Sequence, residues 1–112
     1  MSNSPLVSII ILTHNHDSSI SKSLDMILVQ DYDNIEIIVG DDASSDATPF
    51  ILKQYKQSYP DKITIILNDS NLGITGNCNS ALSVCSGKYI TFNGGDDQML
   101  PCKISTQVEY LE

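Results

Sequence analysis

The segment YITFNGGDDQMLP, residues 89–101, ends an apolar run in two glycines and two adjacent carboxylates, Asp96 and Asp97. A second adjacent pair, Asp41-Asp42, follows the apolar run IEIIV at 35–39. Two more polar clusters are placed the same way. Thr13-His14-Asn15-His16-Asp17 follows LVSIIIL at 6–12, and Asn68-Asp69-Ser70-Asn71-Leu72-Gly73 follows ITIIL at 63–67. Carboxylates set side by side repel by roughly 1 kcal/mol or more per close pair, even when solvated. A divalent cation relieves that, and Mg2+ or Mn2+ prefers carboxylate oxygens and commonly bridges to phosphate. These residue types therefore suit an anionic ligand held through a metal. Asp and Asn also cap helices and close turns, so any one loop taken alone reads first as structure. His14 and His16 could ligate zinc only if both rings converged, and no cysteine lies nearby in the sequence. A loop histidine in contact with substrate or solvent is the better reading.

The elements that carry these clusters are legible from periodicity. Residues 6–12 are almost wholly apolar and β-branched, as suits a strand covered on both faces of a parallel sheet. Residues 35–39, 63–67 and 89–92 are three further strands, the last shorter and less apolar. Between them, Ile20, Leu24, Ile27 and Leu28 share one helical face. Ile51, Tyr55 and Tyr59 repeat every four residues up to Pro60, which stops that helix. Cys78, Ala81, Leu82 and Cys85 mark a third helix with Gly87 as its C-terminal stop. Ile104, Val108 and Leu111 begin a fourth after Pro101. Strand and helix alternate, which predicts a parallel α/β sheet of right-handed βαβ units with the first, most apolar strand at its centre. Ligands of such sheets bind outside the carboxyl ends of the strands, and all four polar clusters fall there.

A chain of 112 residues is one domain at most, and it can bury roughly two thirds of its unfolded surface. Acidic residues outnumber basic ones 14 to 6, for a net charge of −8. That balance excludes the basic patch needed for sequence-independent nucleic-acid binding and a polybasic membrane surface. No apolar run reaches the roughly 18 residues of a membrane span, and the run at 6–12 lacks the basic flank of a signal peptide. Cys78, Cys85 and Cys102 are odd in number with no C-x-x-C pair, which reads as three reduced thiols in a cytosolic protein. G-x-G-x-x-G and Walker A signatures are absent, which argues against a dinucleotide-binding enzyme and a P-loop NTPase.

Four segments together, VSIIILTHNH, NIEIIVGDDASSDAT, NLGITGNCNSAL and GKYITFNGGDDQMLPCKI, resemble the family 2 glycosyltransferases. The patterns usual there are VSVIIPTYN, EIIVVDDGSTDGT, NxGxxxARNxG and GEYIxFLDADDxxLPxKL. The match runs in register from Val7 to Ile104. The resemblance implies a mostly parallel Rossmann-like α/β sheet with helices on both faces, the N-terminal half of the GT-A fold. Residues 1–112 would then be a single domain, the nucleotide-sugar-binding part of a catalytic domain truncated at its C-terminus.

The resemblance also implies site residues. Thr13, His14 and Asn15 match the segment beside the nucleobase, and Asp42 the aspartate that holds the base. Asp41 matches the first aspartate of that pair, more often structural. Asn71, Gly73 and Asn79 match the third motif, beside the nucleotide. Asp96 matches the last Asp of the family's D-x-D, the ligand of Mg2+ or Mn2+ bridging the diphosphate. Gly94 and Gly95 stand in the first two D-x-D positions, and the loss of an aspartate at 94 bears on donor affinity more than on metal binding. Other departures are Leu12 for Pro, His14 for Tyr, Cys78 for Arg, and Cys102 for the Asp after Pro101. Without a Cβ, the two glycines let backbone and donor approach closely, and Asp97 reads as a support or a helix cap.

The implied reaction moves a sugar from a nucleotide-sugar donor, usually a UDP-sugar, to an acceptor hydroxyl with inversion. The implied acceptor is a saccharide or a lipid-linked saccharide, the implied setting polysaccharide biosynthesis in the cytoplasm. Membrane association and homo-oligomerisation of a longer protein stay open. The family's catalytic base lies well downstream, and no carboxylate here matches it, so no catalytic residue is assigned and this chain alone is expected to be inactive. Two alternatives remain beside this reading. One is a non-catalytic glycosyltransferase-like nucleotide-binding module. The other is a phosphoacceptor receiver domain, which would need its acidic pair after the first strand, where Thr13-His14 stands.

Overall fold

The computed structural model describes residues 4–95 and 103–112. Four strands alternate with four helices: β1 Val7–Thr13, α1 Ile20–Leu28, β2 Ile35–Asp41, α2 Thr48–Ser58, β3 Ile63–Leu67, α3 Gly73–Leu82, β4 Tyr89–Gly94 and α4 Lys103–Leu111. The sheet order is β3-β2-β1-β4, and every pairing is parallel. As its composition predicts, β1 has strands on both sides. Ile9, Ile10 and Ile11 on it are fully buried, each stabilising the fold by roughly 1.5–3 kcal/mol through removal from water.

The two faces of the sheet are covered unequally. Ile9, Ile11, Ile37 and Val39 point to one face, where they meet Ile20, Leu24 and Ile27 of α1, Leu52 of α2, and Ile104 and Val108 of α4. Ile10 and Ile38 point to the other and meet Ala81 of α3, with Leu12, Ile66 and Cys85 packed around them. Helices thus lie on both faces, as expected. Ser8, a polar side chain within the apolar run of β1, is fully buried. Its hydroxyl donates to the Glu36 carboxylate and accepts the Gly87 N–H at 2.8 Å, so its burial leaves no unmet hydrogen bond.

Several helical expectations need correction. In α3 the buried positions are Asn77 and Ala81, whereas Leu82 is 38% exposed and Cys85 lies past the helix end. The apolar spacing 78-81-82-85 therefore marked the core face only in part: Ala81 is buried with Cys85 packed beside it, but the other buried position of the helix is the polar Asn77. Gly87 is not the helix stop either. It passes so close to β1 that a Cβ there would sit 2.6 Å from the Ser8 backbone nitrogen. In α2 the fully buried residues are Thr48 and Leu52, and Tyr59 sits exposed at the C-cap. The Tyr55 hydroxyl donates to Asp25 at 2.6 Å and Ser21 O at 3.2 Å, tying α2 to α1. Burial and the Asp25 carboxylate push that phenol up to about 12. Leu111 of α4 is exposed. Cys78 and Cys85 are free thiols, as expected; Cys102 lies outside the described residues.

Candidate functional site

The carboxyl ends of β1, β2, β3 and β4 open on one rim, and a hydrogen-bond lattice joins the loops that leave them. Thr13 and Asp41 are register partners at the ends of β1 and β2, and the Asp42 N–H bonds Thr13 O at 3.0 Å. Asn15, at φ 55, uses a conformation that asparagine tolerates better than most residues. Its N–H reaches Ser44 Oγ at 2.8 Å, and its Oδ1 accepts the Ser45 N–H at 2.8 Å. His16 N–H donates to Thr48 Oγ1 at 3.1 Å. The first two loops are thereby laced into one surface.

Four of the rim carboxylates accept backbone N–H groups. Asp41, 1% exposed, accepts Ser44 Oγ at 2.5 Å and Ser44 N–H at 3.2 Å. Asp42, 6% exposed, accepts Leu72 N–H at 2.7 Å, Gly73 N–H at 3.0 Å and Asn68 Nδ2 at 3.3 Å. It thus serves the open end of α3, where N–H groups lack helical partners and the helix dipole favours an anion. Asp46 and Asp17 do the same for α2. Asp46 accepts Thr48 N–H at 2.9 Å and Asp17 N–H at 3.1 Å, while Asp17 accepts Ala47 N–H at 3.3 Å. Partial burial works to raise the Asp46 carboxyl, but hydrogen bonds from Thr48 and Asp17 outweigh it and hold it below its usual value.

This corrects the electrostatic expectation drawn from the sequence. Four of the clustered carboxylates are stabilised by peptide N–H groups, which do locally what a cation was expected to do. Among the described residues, no group of three or more His, Cys, Asp or Glu side chains is placed to hold a metal ion. The metal expectation narrows to Asp96, which with Asp97 lies outside the described residues.

Other expected site residues divide clearly. His14 is exposed; its Nδ1 donates to Asp42 O at 2.6 Å and its Nε2 faces Asn15 Nδ2 at 3.3 Å. The His16 Nδ1 instead meets Thr13 Oγ1 at 2.8 Å, so the two rings do not converge on a zinc site. Asn71 is exposed and its Oδ1 accepts the Gly73 N–H at 2.9 Å. Gly73, at φ 78, is conformationally a glycine position. Asn79 is exposed on α3, about 9 Å along the helix from Gly73. It joins none of the described rim contacts. Gly94 ends β4 opposite Leu12, and Gly95 N–H bonds Leu12 O at 3.1 Å.

Sequence reasoning missed Asn77 and gave Asn68 no role beyond its place in the third polar cluster. Asn77, 2% exposed, donates to Gly40 O at 2.9 Å and accepts Asn68 Nδ2 at 2.9 Å. Asn68 also reaches Asp42, so a polar chain runs from the core side of α3 to the rim. The available signal was a paired departure from the family pattern. Gly40 stands for its Val and Asn77 for its Ala.

With this geometry in hand, the sequence profile described as Glycosyl transferase family 2 matches residues 8–112. The chain belongs to glycosyl transferase family 2. Within that family it is 40% identical over 107 residues to the UDP-Glc:alpha-D-GlcNAc-diphosphoundecaprenol beta-1,3-glucosyltransferase WfaP of Escherichia coli, covering 96% of this chain and 41% of that one. Its fold is similar to the mannosyltransferase PcManGT from Pyrobaculum calidifontis, solved with GDP-Man and Mn2+, at TM-score 0.83 and 29% identity over 96% of this chain and 31% of that one. It is likewise similar to S. aureus TarS in complex with UDP, at TM-score 0.85 and 25% identity over 94% of this chain and 31% of that one. The four-stranded parallel sheet with its helices is that of the N-terminal part of a GT-A glycosyltransferase. This family 2 chain spans less than half the length of each of these relatives.

Proposed function

We propose that this chain is the donor-binding part of a glycosyltransferase that moves a sugar from a nucleoside-diphosphate sugar, a UDP-sugar, to a hydroxyl of a saccharide or lipid-linked acceptor with inversion. The observation that carries the reading is the gathering of the carboxyl ends of all four parallel strands on one rim, with the His14 ring exposed beside the open end of α3. The relatives support it, since WfaP is named for UDP-Glc and a diphosphoundecaprenol acceptor. Among the described residues no helix is long and apolar enough to cross a membrane.

In this reading His14 offers a flat face to the nucleobase, and the Asn15–Ser45 contact keeps the loop around it in one shape. Asp42 has two carboxylate oxygens with about four acceptor positions. Three are taken by its own chain, which leaves one for a base N–H. The divalent cation falls to Asp96, and a single aspartate fits, because Mg2+ is commonly held by one or two carboxylates plus substrate phosphates. When bound, the cation would neutralise charge growing on the diphosphate leaving group. At Gly95 the missing side chain makes room for His16 and Thr13 rather than for the donor, which corrects the expectation for that glycine.

Calorimetric titration with UDP, GDP and dTDP, each with and without Mn2+, tests the proposal. UDP is expected to bind, and more tightly with Mn2+. Asp96→Ala is expected to abolish the Mn2+ dependence while keeping residual UDP binding. Failure of all three nucleotides to bind, or unchanged metal dependence in Asp96→Ala, overturns it.

A further inference from the structure

Gly95, the residue before Asp96, is held on every side. Its N–H continues the β1–β4 ladder to Leu12 O. Its carbonyl accepts Ser23 Oγ at 3.1 Å and Ser19 Oγ at 3.4 Å, both from α1. On the side where a side chain would stand, an added Cβ would lie 2.6 Å from His16 Nδ1, 2.6 Å from Thr13 Oγ1 and 2.8 Å from Thr13 Cβ. His16 and Thr13 therefore form a floor under the Gly95 peptide.

His16 is itself fixed. Its N–H bonds Thr48 Oγ1, and its carbonyl accepts Ser19 N–H at 3.0 Å and Ile20 N–H at 2.8 Å at the start of α1. The His14 N–H points at His16 Nδ1 at 3.4 Å. A backbone N–H can only donate, so this nitrogen is the acceptor of the ring, and it accepts the Thr13 hydroxyl at 2.8 Å as well. The neutral ring then carries its proton on Nε2.

We propose that His16 is a positioning residue at the entry to the metal-binding motif: through Nδ1 it orients the Thr13 hydroxyl, and the two together seat Gly95, the residue that precedes Asp96 in the sequence. The proposal rests on the reading of Asp96 as the metal ligand. The competing role is direct contact between His16 Nε2–H and the donor diphosphate.

Side-chain geometry separates the two. Asparagine places a polar atom where histidine has Nδ1, and glutamine places one where it has Nε2. UDP binding is titrated with and without Mn2+ for wild type, His16→Asn, His16→Gln, His16→Ala and Gly95→Ala, with melting temperatures recorded alongside. His16→Asn is expected to keep the Mn2+-dependent affinity. His16→Gln, His16→Ala and Gly95→Ala are expected to lose about tenfold, as supports of metal ligands typically do, with metal-free UDP binding unchanged. A purely structural role would weaken binding with and without Mn2+ alike. Wild-type affinity in His16→Ala or Gly95→Ala, or retention by His16→Gln with loss by His16→Asn, overturns the inference. Asp96→Ala distinguishes its failure from that of the underlying reading. If Asp96→Ala loses metal dependence while His16→Ala does not, only the role of His16 falls. If Asp96→Ala keeps it, both fall.

Discussion

Ala43 sits at φ 57, immediately after the two buried aspartates. The left-handed region costs an L-residue with a Cβ about 1–2 kcal/mol, and the family pattern has glycine at this position. The conformation persists because its neighbours demand it. Asp41 must accept from Ser44, and Ser45 must reach Asn15. Ala43→Gly is therefore expected to stabilise the chain by about 1 kcal/mol, less the extra entropy of glycine in the unfolded state. In a thermal melt followed by circular dichroism this is a rise of roughly 4 °C. A fall in melting temperature would show that no strain is stored there. At this scale the sequence exposed the identity of the rim residues but not their partners. Asp42 has the same composition whether it faces solvent or the end of α3, and only coordinates distinguish the two.

Between elements, α3 meets β2 through Gly40 and Asn77. A Cβ at position 40 would lie 2.5 Å from Asn77 Oδ1. The amide thus fills the room that the family's valine would take, and adds hydrogen bonds to Gly40 O and Asn68. Gly40→Val alone forces a clash. Asn77→Ala alone opens a gap and strips a partner from Asn68, at a cost of about 1–3 kcal/mol. The double substitution restores the family's pairing and is expected to recover about 2 kcal/mol of the summed loss, as contacting residues do. Denaturant unfolding of the four-variant cycle measures this, and strict additivity would disprove the coupling. The helix itself was legible in the sequence, and its buried face only in part, through Ala81 and Cys85. Apolar periodicity locates a core face only when the core contacts are apolar, and Asn77 breaks that rule.

For the whole molecule, the sheet brings the carboxyl ends of its four strands to one edge while leaving β4 at its border, with Ile90 42% and Phe92 49% exposed. The proposal puts nucleotide binding on that rim. No carboxylate of the chain matches the position of the family's base, and inversion needs one beside the acceptor hydroxyl. The proposal therefore expects nucleotide binding without sugar transfer by these 112 residues. A radiolabelled UDP-glucose assay with a diphospholipid-linked saccharide checks this. Turnover by the chain alone would mean that a base has been overlooked among its own carboxylates.

The sequence by itself determined the alternation of strands and helices, the central place of β1 and the family. These follow from local periodicity and from motif spacing, both of which are written along the chain. Only the tertiary structure decided what the acidic residues do. Asp17, Asp41, Asp42 and Asp46 turn to peptide N–H groups contributed by their own loops, their neighbours and the first turns of α2 and α3. Whether a carboxylate waits for a cation or caps a helix depends on which donors the fold brings within about 3 Å. Several of those donors lie some 30 residues away in the sequence, where no local pattern can register them.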